Sequence, residues 1–469
     1  MKDFLSESIY NSGLSRRTFL TQSAKLAGSA SLLGTVGSFQ RALAAGTTAD
    51  TTGYKALVCV YLDGGNNGFN TLVPTTQAGY NTYAASRSNL ALPRSSLLSL
   101  SGTASDGYAY GLNAACPELR TLFNSGRLAV LGNVGTLVQP TTKAQALSGL
   151  NLPLQLFSHI DQRTAWWTSL PDQPARLGWG GRIADLYDAQ GYRTPLAMNI
   201  NIGGVNYWQE GGRVMPYVLG PKGAPELFPI TSTYRNGLRQ QATRDLLNQA
   251  ASHPNLLVAE LAALENSAIS KVDVVNSALA AAGDVSTAFP AFLGDQELGA
   301  QLRAVARCIK AHEQIGDARQ IFFVNFGGFD THNNELNGQA ERLQILSKNL
   351  KSFWDALNEI GEQNNVTVFT ASDFGRGLGS NGDGSDHAWG NHQFILGGAV
   401  RGGSYYGAMP SLALGSDDDI GVGRIIPTTS TDQYGATLAR WFGVPDAALN
   451  TVFPNLPNFG ARRDLGFFL

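Results

Sequence analysis

The sequence predicts an α/β fold, a doubly wound and mostly parallel sheet with helices on both faces and a helical insertion. Three observations carry this. Apolar runs of strand length, such as ALVCVYL at 56–62, lack the polar alternation of a half-exposed sheet and read as strands covered on both faces. Residues 321–372 read strand, loop, helix, strand at the length of a crossover, which makes the two strands parallel. A composition of 43% apolar and 15% charged residues with 54 Gly is that of a globular, loop-rich chain.

In chain order, residues 1–44 read as an export signal. LSRRTFL pairs Arg16 and Arg17 ahead of a weakly apolar stretch, Leu26 to Phe39, too short and mild to span a bilayer. Ala42-Leu43-Ala44 supplies an A-x-A cleavage pattern. This is the layout of a twin-arginine signal, an address read by the twin-arginine translocase and not an anchor. It sends the chain, already folded, to the periplasm or the exterior. The bland alternative is a frayed amphipathic N-terminus. Five basic and two acidic residues give this segment a charge of +3, so its removal takes the formal charge from −2 to −5. With no Lys/Arg block in the mature chain there is no electrostatic case for nucleic acid or an anionic membrane. No membrane span is expected there either.

Residues 45–469 are read as a single domain. ALVCVYL is followed by the loop DGGNNGFN, and a second strand, RLAVLGNVG at 127–135, follows a short helical stretch at 117–125. PLAMNINIGG at 195–204 is a third strand. From about 205 to 315 the pattern is mostly helical, an insertion or cap on the sheet. The crossover comes next: IFFVNF, the loop GGFDTHNN, a helix and VTVFTA. That helix carries Leu343, Leu346, Leu350, Phe353, Leu357 and Ile360 at spacings of 3, 4, 3, 4 and 3, one apolar face. FILGGAV at 394–400 is a strand, and TDQYGATLARWFGV at 431–444 is a helix starting at a capping-type Thr431 or Asp432. Three cysteines are not a disulfide framework. Cys59 reads as a core residue, while Cys116 and Cys308 are a conceivable pair in an oxidising compartment.

The chemistry gathers at strand ends. Parallel strands put their following loops on one edge of the sheet, where ligands bind in open α/β folds. Asp63 follows the first strand, Asp330 and His332 the strand 321–326, and Asp373 the strand 366–371. The stretch 366–392 holds three Asp and two of the six histidines, and its glycines let the loop fold back to bring Asp386, His387 and His392 to the same rim. Carboxylates and imidazoles suit hard or borderline divalent ions (Zn, Mn, Fe or Ca). Seven candidates are enough for two ions, which can clamp both oxygens of an in-line displacement. The bland alternatives are a turn at Asp63 and a cap at Asp373. Ser158, beside His159 and just before a helix-like stretch, is a candidate nucleophile, or else an N-cap with a surface histidine. Arg163 and Arg376 are candidates to neutralise an anionic ester.

DGGNNGFNTLVP, SHIDQRTAWW, LGWGGRIAD, FGGFDTHNN, VTVFTASDFGR, DHAWGNH and TDQYGATLARWFGV, with the export signal, resemble the bacterial domain-of-unknown-function 1501 family over nearly the whole chain. That family in turn looks like a distant branch of the alkaline phosphatase and sulfatase superfamily. The resemblance implies an alkaline-phosphatase-like fold and a two-metal site. Asp63 and Asp373, with His387, would hold one ion; Asp330, His332 and His392 would hold the other. Ser158 with His159 falls in the nucleophile slot. Two positions depart from the pattern: Phe374 stands where the superfamily has a histidine ligand, and Asn67 where the nearer family carries Asp.

Two functions follow. One is an exported metal-dependent hydrolase of phosphate or sulfate esters, with a small anionic ester or glycan-type substrate. The other is a non-catalytic periplasmic or cell-surface binding or structural protein on a degenerate version of the same fold. A redox enzyme has no haem, iron–sulfur or dinucleotide motif behind it.

Overall fold

The computed structural model describes residues 48–221, 223–224, 237–292, 298–461 and 463–469. The export signal expected at 1–44 lies outside them, as do 225–236 and 293–297 of the helical region. Nine strands build the central sheet: β1 (Lys55–Leu62), β2 (Leu128–Gly135), β3 (Asn199–Asn201), β4 (Tyr217–Val218), β5 (Arg319–Phe326), β6 (Val366–Ser372), β7 (Asn391–Gly397), β8 (Tyr405–Tyr406) and β9 (Thr429–Ser430). Their order across the sheet is β8-β2-β7-β6-β1-β5-β3-β4, with β9 also pairing β2. Every pairing is parallel except those of β7, which runs antiparallel to β2 and β6.

The sheet is covered on both faces, which explains the unbroken apolar runs. Ala56, Val58, Val60 and Leu62 pack in one core with the helices Pro117–Asn124, Leu298–Lys310 and Glu335–Glu359. Residues of the opposite register, Tyr61, Phe323 and Phe369, meet Trp167, Trp179, Trp208 and Tyr434. The expected apolar face of the crossover helix is seen: Leu343, Leu346, Leu350, Phe353 and Leu357 are all buried in the first of these layers.

The crossover argument holds with one addition. β5 and β6 are parallel but not adjacent, because β1 lies between them. Leu62 sits opposite Phe326 on one side and Ser372 on the other, so the three strands end level. Asp63, the loop bearing Asp330 and His332, and Asp373 therefore leave from one edge.

Three boundaries move. The strand expected at 394–400 begins at Asn391, whose pairing with Val134 extends the ladder toward the loop. The strand expected at 195–204 shortens to Asn199–Asn201. The last long helix, Thr431–Phe442, is capped by Ser430 and not by Thr431 or Asp432: its hydroxyl accepts the Gln433 N–H, and Gln433 returns a bond to the Ser430 N–H. The helices Leu238–Ala250, Leu256–Ala282 and Leu298–Lys310 lie in the stretch expected to be helical. The three cysteines are buried and free, so Cys116 and Cys308 do not pair. No helix among the described residues is long and apolar enough to cross a membrane.

Candidate metal centre

Two backbone devices bring the rim together. Asp63 is followed by Gly64 and Gly65, both in the left-handed region at φ 116° and 83°. A Cβ on Gly64 would lie 2.5 Å from the Asp330 nitrogen, so only glycine lets the loop after β1 pass against the loop after β5. The second device is the helix His159–Thr168, which lays His159 and Arg163 across the ends of β1 and β6.

One half of the site is a carboxylate pair with its own cation. Buried Asp373 accepts from the Tyr61 hydroxyl at 2.6 Å and meets His159 Nδ1 at 2.6 Å. Arg163 donates to Asp63 Oδ1 at 2.6 Å and stands 3.6 Å from Asp373 Oδ2. Burial, then the charge of Asp373, pushes the Asp63 pKa up against the opposing pull of Arg163. Burial also drives the Tyr61 phenol well up, so it serves Asp373 as a neutral donor.

The other half is a cluster of imidazoles around Asp330. Suitable ligand atoms of His159, Asp330 and His387 all lie within 4.8 Å of one another. His332 Nε2 adds itself 3.0 Å from Asp330 Oδ1 and 2.9 Å from His387 Nε2. The partners assign the tautomers. His387 Nδ1 is 2.8 Å from the carbonyl of Phe157, which can only accept, so Nδ1 carries the proton and Nε2 a lone pair. His159 Nδ1 faces a carboxylate, so its Nε2 carries the lone pair in the neutral ring. That Nε2 is buried, has no hydrogen-bond partner, and lies 3.4 Å from Asp330 Oδ2.

Lone pairs of two imidazoles and a carboxylate thus converge on one spot. Without a cation they repel; a divalent ion satisfies all three, and each imidazole already has the outer partner that orients a metal-bound histidine. The residues fit an ion. With the imidazoles neutral, Asp63, Asp330, Asp373 and Asp386 outnumber Arg163 and Arg376 by two charges, which one divalent ion balances. The pKa directions agree with competition for protons at this spot. The bond to Asp373 raises His159, while burial lowers His387. Burial raises Asp330, but the Arg376 bond and charge outweigh it and hold the carboxyl below its usual range.

The structure brings together Asp63, His159, Asp330, His332, Asp373 and His387, and regroups them. Asp63 and Asp373 are occupied by Arg163, Tyr61 and His159, whereas His387 sides with Asp330. Three expectations are corrected. His392 does not join the cluster: as the second residue of β7 its ring is buried, edge-on to Phe69, and accepts the Asn133 N–H at 3.1 Å. Ser158 does not face the centre: its hydroxyl donates to Asp161 at 2.6 Å, and Asp161 lines a separate cleft of about 390 Å³ with Thr164 and Tyr207. Arg376, expected to face an anionic ester, is wholly buried and spends its guanidinium on Asp330 at 2.8 Å.

The two departures from the family pattern find roles of another kind. Phe374 packs its ring against His159 and His387, 4.7 and 4.5 Å between centroids, as an apolar wall of the cluster. Asn67 spends its side-chain N–H on buried Glu335 at 2.5 Å. Sequence reasoning missed Tyr61 and Phe157. Tyr61 reads as a core residue of an apolar run. Phe157 acts through its carbonyl, presented from a left-handed backbone at φ 78°, and no side-chain motif reports that.

Residues 216–435 match the model of a family described as "Protein of unknown function (DUF1501)", the family the motifs resemble. The match takes in Asp330, His332, Asp373, Arg376 and His387, and leaves Asp63, His159 and Arg163 outside it. No curated protein matches the chain. Among solved structures, the chain is similar to PsFucS1 sulfatase from Pseudoalteromonas sp. (13% identity, TM-score 0.35, covering 88% of this chain and 71% of that one). It is also similar to the lipoteichoic acid synthase LtaP from Listeria monocytogenes (9%, TM-score 0.33, 84% and 72%). A third is the C-terminal periplasmic domain of EcEptC from Escherichia coli in complex with Zn (12%, TM-score 0.32, 90% and 94%).

Proposed function

We propose that the protein is an exported, divalent-metal-dependent hydrolase of phosphate or sulfate esters. Its centre is a single one, held by His159, Asp330, His387 and His332. The observation that carries this reading is the unpartnered, buried Nε2 of His159 turned toward Asp330 beside the lone pair of His387. Three imidazoles and one carboxylate favour Zn, with Fe or Mn as alternatives, over the all-oxygen shell that Ca takes. When bound, the ion supplies a Lewis acid.

The chain's own groups do the rest. Asp373 and the Phe157 carbonyl fix two imidazoles, Arg376 fixes Asp330, and Phe374 keeps one wall dry. The face toward solvent is open, since the Asp330 and His332 side chains are 46% and 43% exposed. Arg163 stands at the same mouth, partly exposed, where an anionic group bound to the centre meets a guanidinium. With Ser158 tied to Asp161, solvent at the open face is the source of the attacking oxygen. Twin-arginine export suits such a protein, because it allows the ion to be loaded before translocation.

The second reading is a metal-holding binding protein without turnover. The engagement of the Ser158 hydroxyl by Asp161 favours it.

Elemental analysis of mature protein, purified without chelator or added metal, tests both. We expect one equivalent of a transition ion per chain, lost in a folded His159→Ala/His387→Ala variant, and hydrolysis of aryl phosphates or sulfates by the loaded form alone. Folded protein with no stoichiometric metal ends the proposal. One equivalent without turnover on either ester class leaves the binding protein.

A further inference from the structure

Asp63 and Asp373 leave adjacent strands whose ends are level, which forces two carboxylates together. The Tyr61 hydroxyl donates to Asp373 at 2.6 Å, and a side-chain hydrogen bond from Asn325 steadies the Asp63 carboxylate. Paired carboxylate oxygens are what a hard divalent ion takes. The place between them is filled instead by Arg163, 2.6 Å from Asp63 and 3.6 Å from Asp373.

We infer that Arg163 is a built-in cation that takes the place of a second metal ion between Asp63 and Asp373 and keeps the centre mononuclear. Its hydrogen bonding is incomplete, since Nε is buried without a partner, so charge is what the position uses. The guanidinium is held in place over Trp167, four residues on in the same helix, at 5.7 Å from the ring centroid. His159 and Arg163 are also four apart, on one helix face. A single helix thus delivers a ligand to the imidazole centre and, one turn later, the cation that neutralises the neighbouring acidic pair. A divalent ion could not share that pair with the guanidinium without like-charge repulsion at contact distance.

The inference rests on the single-ion reading above, and its test reads the difference between variant and parent. Mn²⁺ is titrated into metal-free mature protein, with bound equivalents counted by elemental analysis and by the loss of the free-ion electron paramagnetic resonance signal. Arg163→Met should bind one more equivalent than the parent, Arg163→Lys no more than the parent, and Arg163→Met/Asp63→Asn should lose the extra one. One equivalent in both the parent and Arg163→Met overturns the inference and leaves the imidazole centre intact, and none in either overturns both. A parent that binds two ions overturns it as well. A parent that binds none, with one gained in Arg163→Met, supports it while ending the reading of the imidazole centre. Circular dichroism melts cover the folding risk: an Arg163→Met protein that folds only with Mn²⁺ supports replacement of the guanidinium by an ion, and one unfolded with and without Mn²⁺ refutes it.

Discussion

His392 is held neutral inside the fold. Burial lowers its pKa to about 4 from an ordinary 6.5, and its Nδ1 serves as an acceptor for the Asn133 N–H. The unfolded chain takes up a proton near pH 6.5 and the folded one does not until about 4, so stability is complete above 6.5 and is lost as pH falls between the two. At about 1.4 kcal/mol per unit the loss approaches about 3 kcal/mol. Urea denaturation at pH 7.5 and pH 4.5 should therefore show a smaller drop for His392→Gln than for the parent. An identical drop in both would show that this imidazole is not the group being charged. The contrast with His387 is instructive. Five positions apart in sequence, one ring is spent on a backbone amide in the interior and the other turns its Nε2 toward solvent-facing Asp330, 3.2 Å away.

At the scale of elements, the hairpin formed by Arg376–Ser380 and Ser385–His387 carries much of the centre, and it is bolted from beneath. Arg87 and Glu335 form an ion pair at 2.5 Å with both side chains wholly buried. Arg87 also donates to the carbonyls of Gly377 and Leu378 at 2.7 and 3.1 Å, while Glu335 accepts from the Ser385 hydroxyl and from Asn67. Removing one partner leaves the other charge buried and uncompensated, a loss on the order of 3–5 kcal/mol. Arg87→Met should lower stability by that amount in urea denaturation and weaken metal binding through the displaced hairpin. Arg87→Met/Glu335→Gln should recover part of the stability, and a double variant no more stable than the single would mean that the charge is not the cause.

At the scale of the molecule, the fold needs no covalent staple. Cys59, Cys116 and Cys308 lie in separate buried positions, each thiol pushed up by burial and so kept inert. The melting temperature of the protein should shift by less than about 1 °C with a reducing agent, because loss of a real cross-link would cost about 2–4 kcal/mol. A clear drop on reduction, with a disulfide found by mass mapping, would contradict the unpaired state. The long-range stability comes instead from a sheet clad on both faces, and the rim that carries the chemistry is an outcome of where those strands stop.

Local pattern determined much of this by itself. Apolar runs named the strands β1, β2, β5 and β6, the 3–4 spacing named the crossover helix, and the crossover length made β5 and β6 parallel. That put Asp330, His332 and Asp373 on one edge and let Asp63 join them there; the parallel place of β1 between β5 and β6 came from the structure. Tertiary structure decided what each does there. Which carboxylate meets a guanidinium and which meets imidazoles depends on a helix, His159–Thr168, packed from about a hundred residues after β1. Whether a histidine joins the rim cluster or the core depends on where the β7 ladder starts. Sequence periodicity records the face on which a side chain lies. The few ångströms that separate a lone pair from its partner arise only when distant segments are packed together.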